Sequence, residues 1–341
     1  MRLPPETSGR DRGMEKLRIT RVGFVLLTHS NPEQILRLVG ALNELYEAPP
    51  IVCHHDFAQC ALDRALFPNN VAFVDPHLPT FWGCFSIVPA ALAAMRILMN
   101  CKNAPDWLYL LSGSDYPVMS PDKVVSMLAQ TRFDAFIDHR EITYDGYFRF
   151  ARGGERDTAT GFSRSSYQAL AYRRYCAVAV PRPSRQKPFA FPPVGHSYLY
   201  HPAWRALVPG PFSSNFLCFA GEHWFTVSNK AASTLLAETS QSERLLAHLR
   251  PRESPEECFY HSVLGNSPLA LSNNNLRYIH WSSPDAWHPS SLSLDHLPDI
   301  SNSGAHFARK MAAGSPLLTE LDRMTGISQR SFAKRISFAN M

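Results

Sequence analysis

Short, continuous apolar runs alternate along the chain with longer segments whose apolar residues recur every three or four positions. The five runs are Val22–Thr28, Ile51–His54, Val71–Val74, Trp107–Leu111 and Phe133–Ile137. Such runs are typical of strands buried on both faces of a parallel sheet. The three longer segments, which predict helices, are residues 31–47, 87–99 and 121–130. Strands that alternate with helices predict an α/β fold with a Rossmann-like, mostly parallel central sheet flanked by helices.

The alternation stops near Tyr144 and returns only after Phe216. The stretch between them is rich in arginine, tyrosine and proline, and it predicts no regular element. Because loops this long are uncommon unless they carry function, it forms either part of a binding site or a solvated basic loop. The elements predicted beyond it are strands at Trp224–Ser228 and Leu276–Trp281, and helices at 230–236, from Ser254 and from Ala305.

The domain organisation follows from these patterns. Residues 1–18 are polar and predict a flexible N-terminal tail. Residues 19–341 predict a single domain with one half at 19–143 and the other at 144–341. In a parallel sheet, ligands bind outside the carboxyl ends of the strands, so the loops after these strands are where binding chemistry is expected.

The 341 residues are 45% hydrophobic and 18% charged, which is the balance of a folded globular chain. A net charge of +5 is too mild for a dedicated nucleic-acid binder, but it suits a small anionic ligand. The seven cysteines show no Cys-x-x-Cys spacing, so we expect reduced, buried thiols and a cytoplasmic location. The sequence predicts neither a signal peptide nor a transmembrane segment, so we expect a membrane-borne substrate to be reached from the cytosolic surface.

Several motifs of nucleotide-binding and hydrolytic sites are missing. The chain contains no glycine-rich phosphate loop, no Gly-x-Ser-x-Gly and no His-Glu-x-x-His. It also contains no Asp-x-Asp, the carboxylate pair that commonly holds a divalent metal on a diphosphate. If the ligand is a diphosphate, lysine or arginine must neutralise it, and we expect no metal and no other cofactor.

Six segments, in order along the chain, resemble segments of the core-2/I-branching glycosyltransferases. They are His54–Asp56, Phe81–Ser86, Leu111–Pro117, Phe219–Ser228, Ser254–Glu257 and Phe307–Lys310. The resemblance covers the chain from about Val22 to Asp322. It implies a GT-A-type fold, a UDP-sugar donor, inversion at the anomeric carbon and no bound metal. It also implies that residues 19–143 bind the nucleotide sugar and that residues 144–341 bind the acceptor.

The resemblance places Glu257 where the family has its catalytic base. Such a base removes the proton of the acceptor hydroxyl as the oxygen attacks the anomeric carbon opposite the diphosphate. The local sequence allows another interpretation, because Ser254-x-x-Glu257 with Pro255 at the first helical position is also a capping box. Glu256, about 100° away around the helix, is the alternative base.

Lys310 matches a family lysine that contacts the donor diphosphate, and Arg309 is expected to assist it. The alternative for Lys310 is a solvated lysine on a helix. The arginine that partners this lysine in the family is missing from the corresponding loop. Either His288 or Arg277 takes its place, or the loop is organised differently.

Four further residues are expected on the donor side: His29, Asp56, Trp82 and Gly83. Asp56 would accept a hydrogen bond from the uracil or the ribose, and Gly83 would allow close approach of the backbone. Three of these residues have a structural alternative. His29 could be a histidine at the edge of the core, Asp56 a turn residue at the end of its strand, and Trp82 an aromatic residue that only packs.

The residues expected to bind the acceptor or line the pocket are Asp115, Gly221, Glu222, His223, Trp224 and Glu256. Asp115 lies in a Ser-Asp-Tyr-Pro turn and could equally close that loop. Glu222 stands where the family often has serine, and it could bind an acceptor hydroxyl. Trp224 either stacks on a sugar face or packs in the core.

The resemblance thus implies an inverting, metal-independent glycosyltransferase that moves N-acetylglucosamine from UDP-N-acetylglucosamine to a hydroxyl of a glycan or glycolipid acceptor. UDP-xylose is the alternative donor, since peptide O-xylosyltransferases have a similar Phe-Ala-Arg-Lys ending. An inactive glycan- or nucleotide-binding relative is a second possibility, which the missing arginine favours. A hydrolase that uses the Glu256/Glu257 region is a third, and it would need a second carboxylate at a suitable distance from this region.

Overall fold

The computed structural model describes residues 20–145, 147, 164–182, 195–283, 286 and 288–328. The strands of this part are β1 (Val22–Thr28), β2 (Ile51–His55), β3 (Val71–Phe73), β4 (Trp107–Ser112), β5 (Tyr116–Pro117), β6 (Ala135–Ile137), β7 (Arg140–Glu141), β8 (Val178–Arg182), β9 (Gly195–Leu199), β10 (Phe219–Ala220), β11 (Phe225–Ser228), β12 (Leu271–Ser272), β13 (Arg277–Ile279) and β14 (Phe307–Arg309). The α-helices are α1 (Pro32–Leu45), α2 (Ile87–Met99), α3 (Pro121–Gln130), α4 (Arg164–Ala171), α5 (Asn229–Leu236), α6 (Ser240–Leu249), α7 (Glu256–Gly265), α8 (Leu297–Asn302) and α9 (Pro316–Thr325).

The central sheet has the strand order β12-β6-β11-β4-β1-β2-β3. Its neighbouring strands are parallel except β11, which runs antiparallel to both β4 and β6. The predicted α/β class with a mostly parallel central sheet flanked by helices is therefore confirmed. Strand β11 comes from the second half of the chain and lies between two strands of the first half, so both halves contribute to one sheet.

The apolar runs form strands because the side chains of both faces are buried. In β1, Phe24 and Leu26 pack in the same apolar cluster as α1 and α9. Val25, on the opposite face, packs in a second cluster with residues of α2, α5 and α7. Successive side chains of a strand point to opposite faces, so one uninterrupted run supplies the core on both sides of the sheet.

A second sheet, β13-β14-β5, carries residues of the candidate site. The predicted helix entered at Ala305 is wrong, because Phe307–Arg309 is a buried strand in the middle of this sheet. It pairs in parallel with β13 and antiparallel with β5. A three-residue strand is too short to show an alternating pattern, and its conformation is set by the neighbouring strands rather than by its own sequence.

The stretch predicted to lack regular elements contains α4, a π-helical turn at Tyr172–Cys176 and the antiparallel hairpin β8–β9. That prediction is therefore wrong for the described residues. Tyr172 and Tyr175 are buried, and their hydroxyls donate to the carbonyls of Tyr200 (2.8 Å) and Ser254 (2.7 Å). The tyrosines thus supply buried area and satisfied hydrogen bonds, which attach this basic segment to the core.

All seven cysteines lie in the described part of the chain, and none of them forms a disulfide. The prediction of buried thiols holds for Cys53, Cys176, Cys218 and Cys258, whereas the other three are partly exposed. Across the described residues, no helix is long and apolar enough to cross a membrane. The same residues contain no group of three or more His, Cys, Asp and Glu side chains that could hold a metal ion. The predicted tail, residues 1–18, lies outside the described residues.

Candidate active site

The first turn of α7 presents Glu257, and the capping box that is the alternative interpretation of this sequence does not form. Ser254 has a left-handed backbone conformation with a φ of 47°, and Pro255 occupies the N-cap position without a side-chain hydrogen bond to the helix. The backbone N–H of Ser254 instead donates to the carbonyl of Gly83 at 2.8 Å. The carboxylate of Glu257 is therefore free to take another partner.

That partner is Arg174, from the π-helical turn after α4. Its Nη1 lies 3.2 Å from Oε2 of Glu257, and its Nε lies 3.6 Å from the carboxylate of Glu253. The Arg174 side chain is 13% exposed, whereas that of Glu257 is 29% exposed, so the carboxylate is held on one side and open on the other. The long basic stretch thus contributes directly to the site. Its sequence shows many arginines and gives no signal that selects this one.

Burial raises the pKa of Glu257 to about 7, with Asp138 acting in the same direction and Arg174 opposing both. A carboxyl with this pKa is partly deprotonated at neutral pH and can accept a proton efficiently. Burial and the charge of Glu257 raise the pKa of neighbouring Glu256 to about 8. Glu256 is buried, its Oε2 has no hydrogen-bond partner among the described residues, and it holds a proton at neutral pH. Glu257 is therefore the better candidate of the two for a base.

The segment Gly221–Trp224 lies against this turn. The N–H of Gly221 donates to the carbonyl of Glu257 at 3.0 Å, and the N–H of Glu222 donates to the Asp138 carboxylate at 3.3 Å. A Cβ at residue 221 would overlap the carbonyl oxygen of Asp138, so only glycine fits. Burial and Asp138 raise the pKa of Glu222 to about 7. The backbone approach at Gly221 thus brings a second carboxyl to the site.

His223 and Trp224 are packed rather than open. The His223 ring stacks on Tyr260 with centroids 5.8 Å apart, and burial followed by the charge of Arg309 lowers its pKa to about 3. The imidazole is therefore neutral across the physiological pH range. The Arg309 guanidinium lies 4.3 Å from the centre of the Trp224 ring. This contact covers the indole, so the structure favours a packing role for Trp224.

Asp115 forms ion pairs with two arginines. It is fully buried, and its carboxylate accepts the backbone N–H of Ser112 at 2.7 Å. Its oxygens lie 3.7 Å from Nε of Arg277 and 3.7 Å from Nε of Arg309. The Arg277 side chain is fully buried and also donates to the carbonyl of Leu110 at 3.1 Å. Arg277 therefore cannot act as the missing phosphate-binding arginine, and Arg309 is mainly a link between Asp115 and Trp224.

Lys310 directly follows β14, so the alternative of a lysine on a helix is wrong. The residue is half-buried, and its carbonyl accepts the N–H of Leu292 at 2.9 Å. No described residue forms a hydrogen bond or an ion pair with its ammonium group. Burial and the charge of Arg309 lower the pKa of Lys310. His288 is exposed, and a role for it beside Lys310 stays a prediction.

The four expected donor-side residues have different surroundings. Both oxygens of Asp56 are occupied, since Ala58, Gln59 and Thr80 donate to them at 2.7 to 3.1 Å. Burial opposes ionisation of Asp56, but these hydrogen bonds outweigh it and keep its pKa below the usual value. Asp56 thus organises its loop. His29 is exposed after β1, Trp82 is largely exposed, and Gly83 adopts a φ of 69° beside Ser254.

Most of the residues described above lie within the match to a known protein family. The sequence model of the Core-2/I-Branching enzyme family matches residues 54–174 and 181–312. The beta-glucuronosyltransferase GlcAT14B of Arabidopsis thaliana is 24% identical over 306 residues, which cover 88% of this chain and 61% of the relative. Xylosyltransferase 1 of Rattus norvegicus is 23% identical over 274 residues, which cover 76% of this chain and 28% of the relative. The chain thus spans about three fifths of the length of one relative and under a third of the other.

Among solved structures, the apo structure of the bifunctional glycosyltransferase WbbM is similar over 90% of this chain and 52% of its own. The TM-score of this superposition is 0.37 and the sequence identity is 8%.

Proposed function

The chain belongs to the Core-2/I-Branching enzyme family, and from this premise we propose that it is a glycosyltransferase that uses a UDP-sugar donor. The observation that carries the proposal is the placement of Glu257 at the start of α7, with Arg174 on one side and solvent on the other. The family match extends across both segments that supply this pair. The acceptor is a glycan or a glycolipid that presents a hydroxyl group.

In the proposed mechanism, the Glu257 carboxylate removes the proton from the acceptor hydroxyl. The oxygen then attacks the anomeric carbon of the donor sugar, a new C–O bond forms, and the bond to the diphosphate breaks. Because attack is direct and comes from the face opposite the leaving group, the anomeric configuration inverts. The partly exposed carboxylate and its pKa of about 7 support the role of Glu257 as base.

Negative charge develops on UDP as its bond to the anomeric carbon breaks, and Lys310 is the residue proposed to neutralise this charge. Its ammonium group has no acidic partner within the described part of the chain. Lys310 directly follows β14, and Asp115 forms ion pairs with Arg309 of this strand and with Arg277 of the neighbouring strand β13. A fixed cation beside the leaving diphosphate stabilises the transition state as a metal ion would. The absence of Asp-x-Asp from the sequence supports this metal-independent proposal.

The two kinds of similarity described above favour different donor sugars. The resemblance to the branching enzymes favours N-acetylglucosamine. The names of the similar proteins favour glucuronic acid and xylose. UDP-N-acetylglucosamine, UDP-xylose and UDP-glucuronic acid are therefore the three donors to compare.

Release of UDP from these three donors, measured with excess EDTA, tests the proposal. We expect one donor to be turned over at an undiminished rate in EDTA, because the charge on UDP is neutralised by a side chain. We expect Lys310→Ala to lower kcat by about 10²-fold, without recovery when Mn²⁺ is added. Loss of wild-type turnover in EDTA would contradict metal independence, and binding of UDP-sugars without any turnover would indicate an inactive relative.

A pH profile of Arg174→Gln tests the pairing with the base. Arg174 favours the charged form of Glu257, so its removal raises the pKa of that carboxyl further above its ordinary value. Less Glu257 is then deprotonated at neutral pH, and the acidic limb of the kcat/KM profile moves to higher pH. The expected loss of activity is largest below pH 7 and shrinks as the pH rises. Arg173→Gln, on the same turn, is the control, and an unmoved limb in Arg174→Gln would rule out the coupling.

A further inference from the structure

Residues 158–221 contain seven basic side chains and no aspartate or glutamate. The basic residues are Arg164, Arg173, Arg174, Arg182, Arg185, Lys187 and Arg205. Arg174 belongs to the candidate site, whereas the sequence of the segment offers the other six no counter-charge. A stretch of one sign produces a positive potential that attracts an anionic surface. This charge asymmetry is much stronger than the overall net charge of +5 suggests.

An exposed apolar turn lies near the end of this segment. It consists of the 3₁₀ helix Pro202–Ala206 and the two residues that follow, and it is called the 202–208 turn. Trp204, Leu207 and Val208 are 43%, 73% and 55% exposed. Single exposed apolar side chains are common on protein surfaces, but three within five positions form a patch of the kind that marks an interaction surface.

The folded chain holds this turn in place. The N–H groups of Leu207 and Val208 both donate to the carbonyl of Trp204, at 3.1 and 3.2 Å. Just beyond the turn, Gln241 of α6 donates to the carbonyl of Pro211 at 3.1 Å, and Arg244 donates to that of Gly210 at 3.3 Å. The backbone just beyond the turn is therefore hydrogen-bonded to α6, and the apolar side chains lie next to this attachment.

We propose that the 202–208 turn docks this protein on the surface of a bilayer that contains anionic lipid. Indole rings reside at the headgroup level of membranes, branched aliphatic side chains enter the acyl boundary, and basic residues are attracted to anionic headgroups. An anionic polysaccharide would use the positive charge and Trp204, but it would leave Leu207 and Val208 in water. The lipid surface uses all of these features, so the observations favour it.

The docking turn is connected to the candidate site through α6. Nε2 of His248, near the end of α6, lies 2.8 Å from the carbonyl of Tyr175, beside Arg174. Docking through the 202–208 turn therefore sets the orientation of the Arg174–Glu257 pair relative to the bilayer. The idea that this orientation serves a membrane-borne acceptor rests on the proposed function. The docking itself does not rest on it.

Sedimentation with vesicles tests the docking. We expect the full chain to bind phosphatidylcholine vesicles that contain phosphatidylglycerol, to bind pure phosphatidylcholine much more weakly, and to dissociate in high salt. The double variant Leu207→Ser/Val208→Ser should lower the partition coefficient by about tenfold or more. Leu294→Ser is the matched control, because Leu294 is 46% exposed at a separate site and its replacement should leave binding unchanged.

A fluorescence measurement on other variants keeps the docking testable if the double variant fails to fold. Anionic vesicles should shift the tryptophan emission of the wild type to shorter wavelength, and Trp204→Phe should lose this shift while binding persists. Equal vesicle binding by wild type and double variant would overturn the proposal, and so would the absence of binding to anionic vesicles. Binding to an anionic polysaccharide alone would overturn it, as would a dimer in solution that the double variant dissociates. None of these outcomes depends on sugar transfer, so failure here is distinguishable from failure of the proposed function.

Discussion

Glu257→Gln is expected to lower kcat by a factor of about 10² to 10⁴, with the dissociation constant of UDP within about twofold of the wild type. The amide has the shape of the carboxylate and can still accept a hydrogen bond from Arg174, so the turn should keep its geometry. It cannot accept a proton at neutral pH, so the acceptor hydroxyl loses its base. Steady-state kinetics with the preferred donor measures the loss in kcat, and calorimetry measures the dissociation constant of UDP.

Glu253→Gln is the matched control for this variant. Its carboxylate also contacts Arg174, at 3.6 Å, but its side chain is 59% exposed. An exposed ion pair contributes little, so Glu253→Gln should change kcat by less than about threefold. A Glu257→Gln enzyme within tenfold of the wild type would contradict the assignment of the base. A loss of similar size in both variants would indicate that the Arg174 contacts, rather than proton transfer, are responsible.

Gly221→Ala is expected to destabilise the fold by more than about 3 kcal/mol. The new methyl group would overlap the backbone carbonyl of Asp138, which cannot rotate away as a side chain could. Separation of the two segments would also break the bond from Gly221 N–H to the Glu257 carbonyl and move the proposed base. Urea unfolding gives the free energy, and the kinetics of the surviving folded fraction gives the effect on the site.

Gly210→Ala is the control for this substitution, because its Cβ would meet the His248 ring at ordinary contact distance, 3.5 Å. It should change the free energy of unfolding by less than about 1 kcal/mol. A Gly221→Ala protein as stable as Gly210→Ala would show that the close approach of residues 221 and 138 can relax without cost.

The sheet could be predicted because its strands are buried on both faces. The runs at Val22–Thr28 and Trp107–Leu111 have no polar interruption, and helices 87–99 and 121–130 have clear periodicity; the structure has all four within one residue of the predicted bounds. Strand β14 could not be predicted, because its sequence Phe-Ala-Arg forms neither an apolar run nor a periodic pattern and its conformation is set by the strands on either side. Helices α6 and α9 lie outside the predicted elements for a different reason, since their surroundings are rich in serine and charged residues.

The candidate site was predictable only where local sequence resembles a known segment. Glu257 and Gly221 lie in such segments, and the structure brings them into contact. Arg174 lies outside them, in a stretch with six other basic residues, and only the folding of the π-helical turn Tyr172–Cys176 against the start of α7 selects it. Arg277 shows the opposite case, because this basic residue near the expected position is fully buried by contacts with β4, with β11 and with Asp115 in the turn between β4 and β5.

The antiparallel strand β11 affects how this chain can fold during synthesis. Strands β4 and β6 leave the ribosome well before β11, yet β11 is the strand that pairs with both of them. Until it arrives, each has an unpaired edge, and such edges associate readily with other chains. The central sheet thus depends on contacts between residues distant in sequence, which form slowly. A chaperone that covers the edges of β4 and β6 on the nascent chain would therefore increase the yield of folded protein.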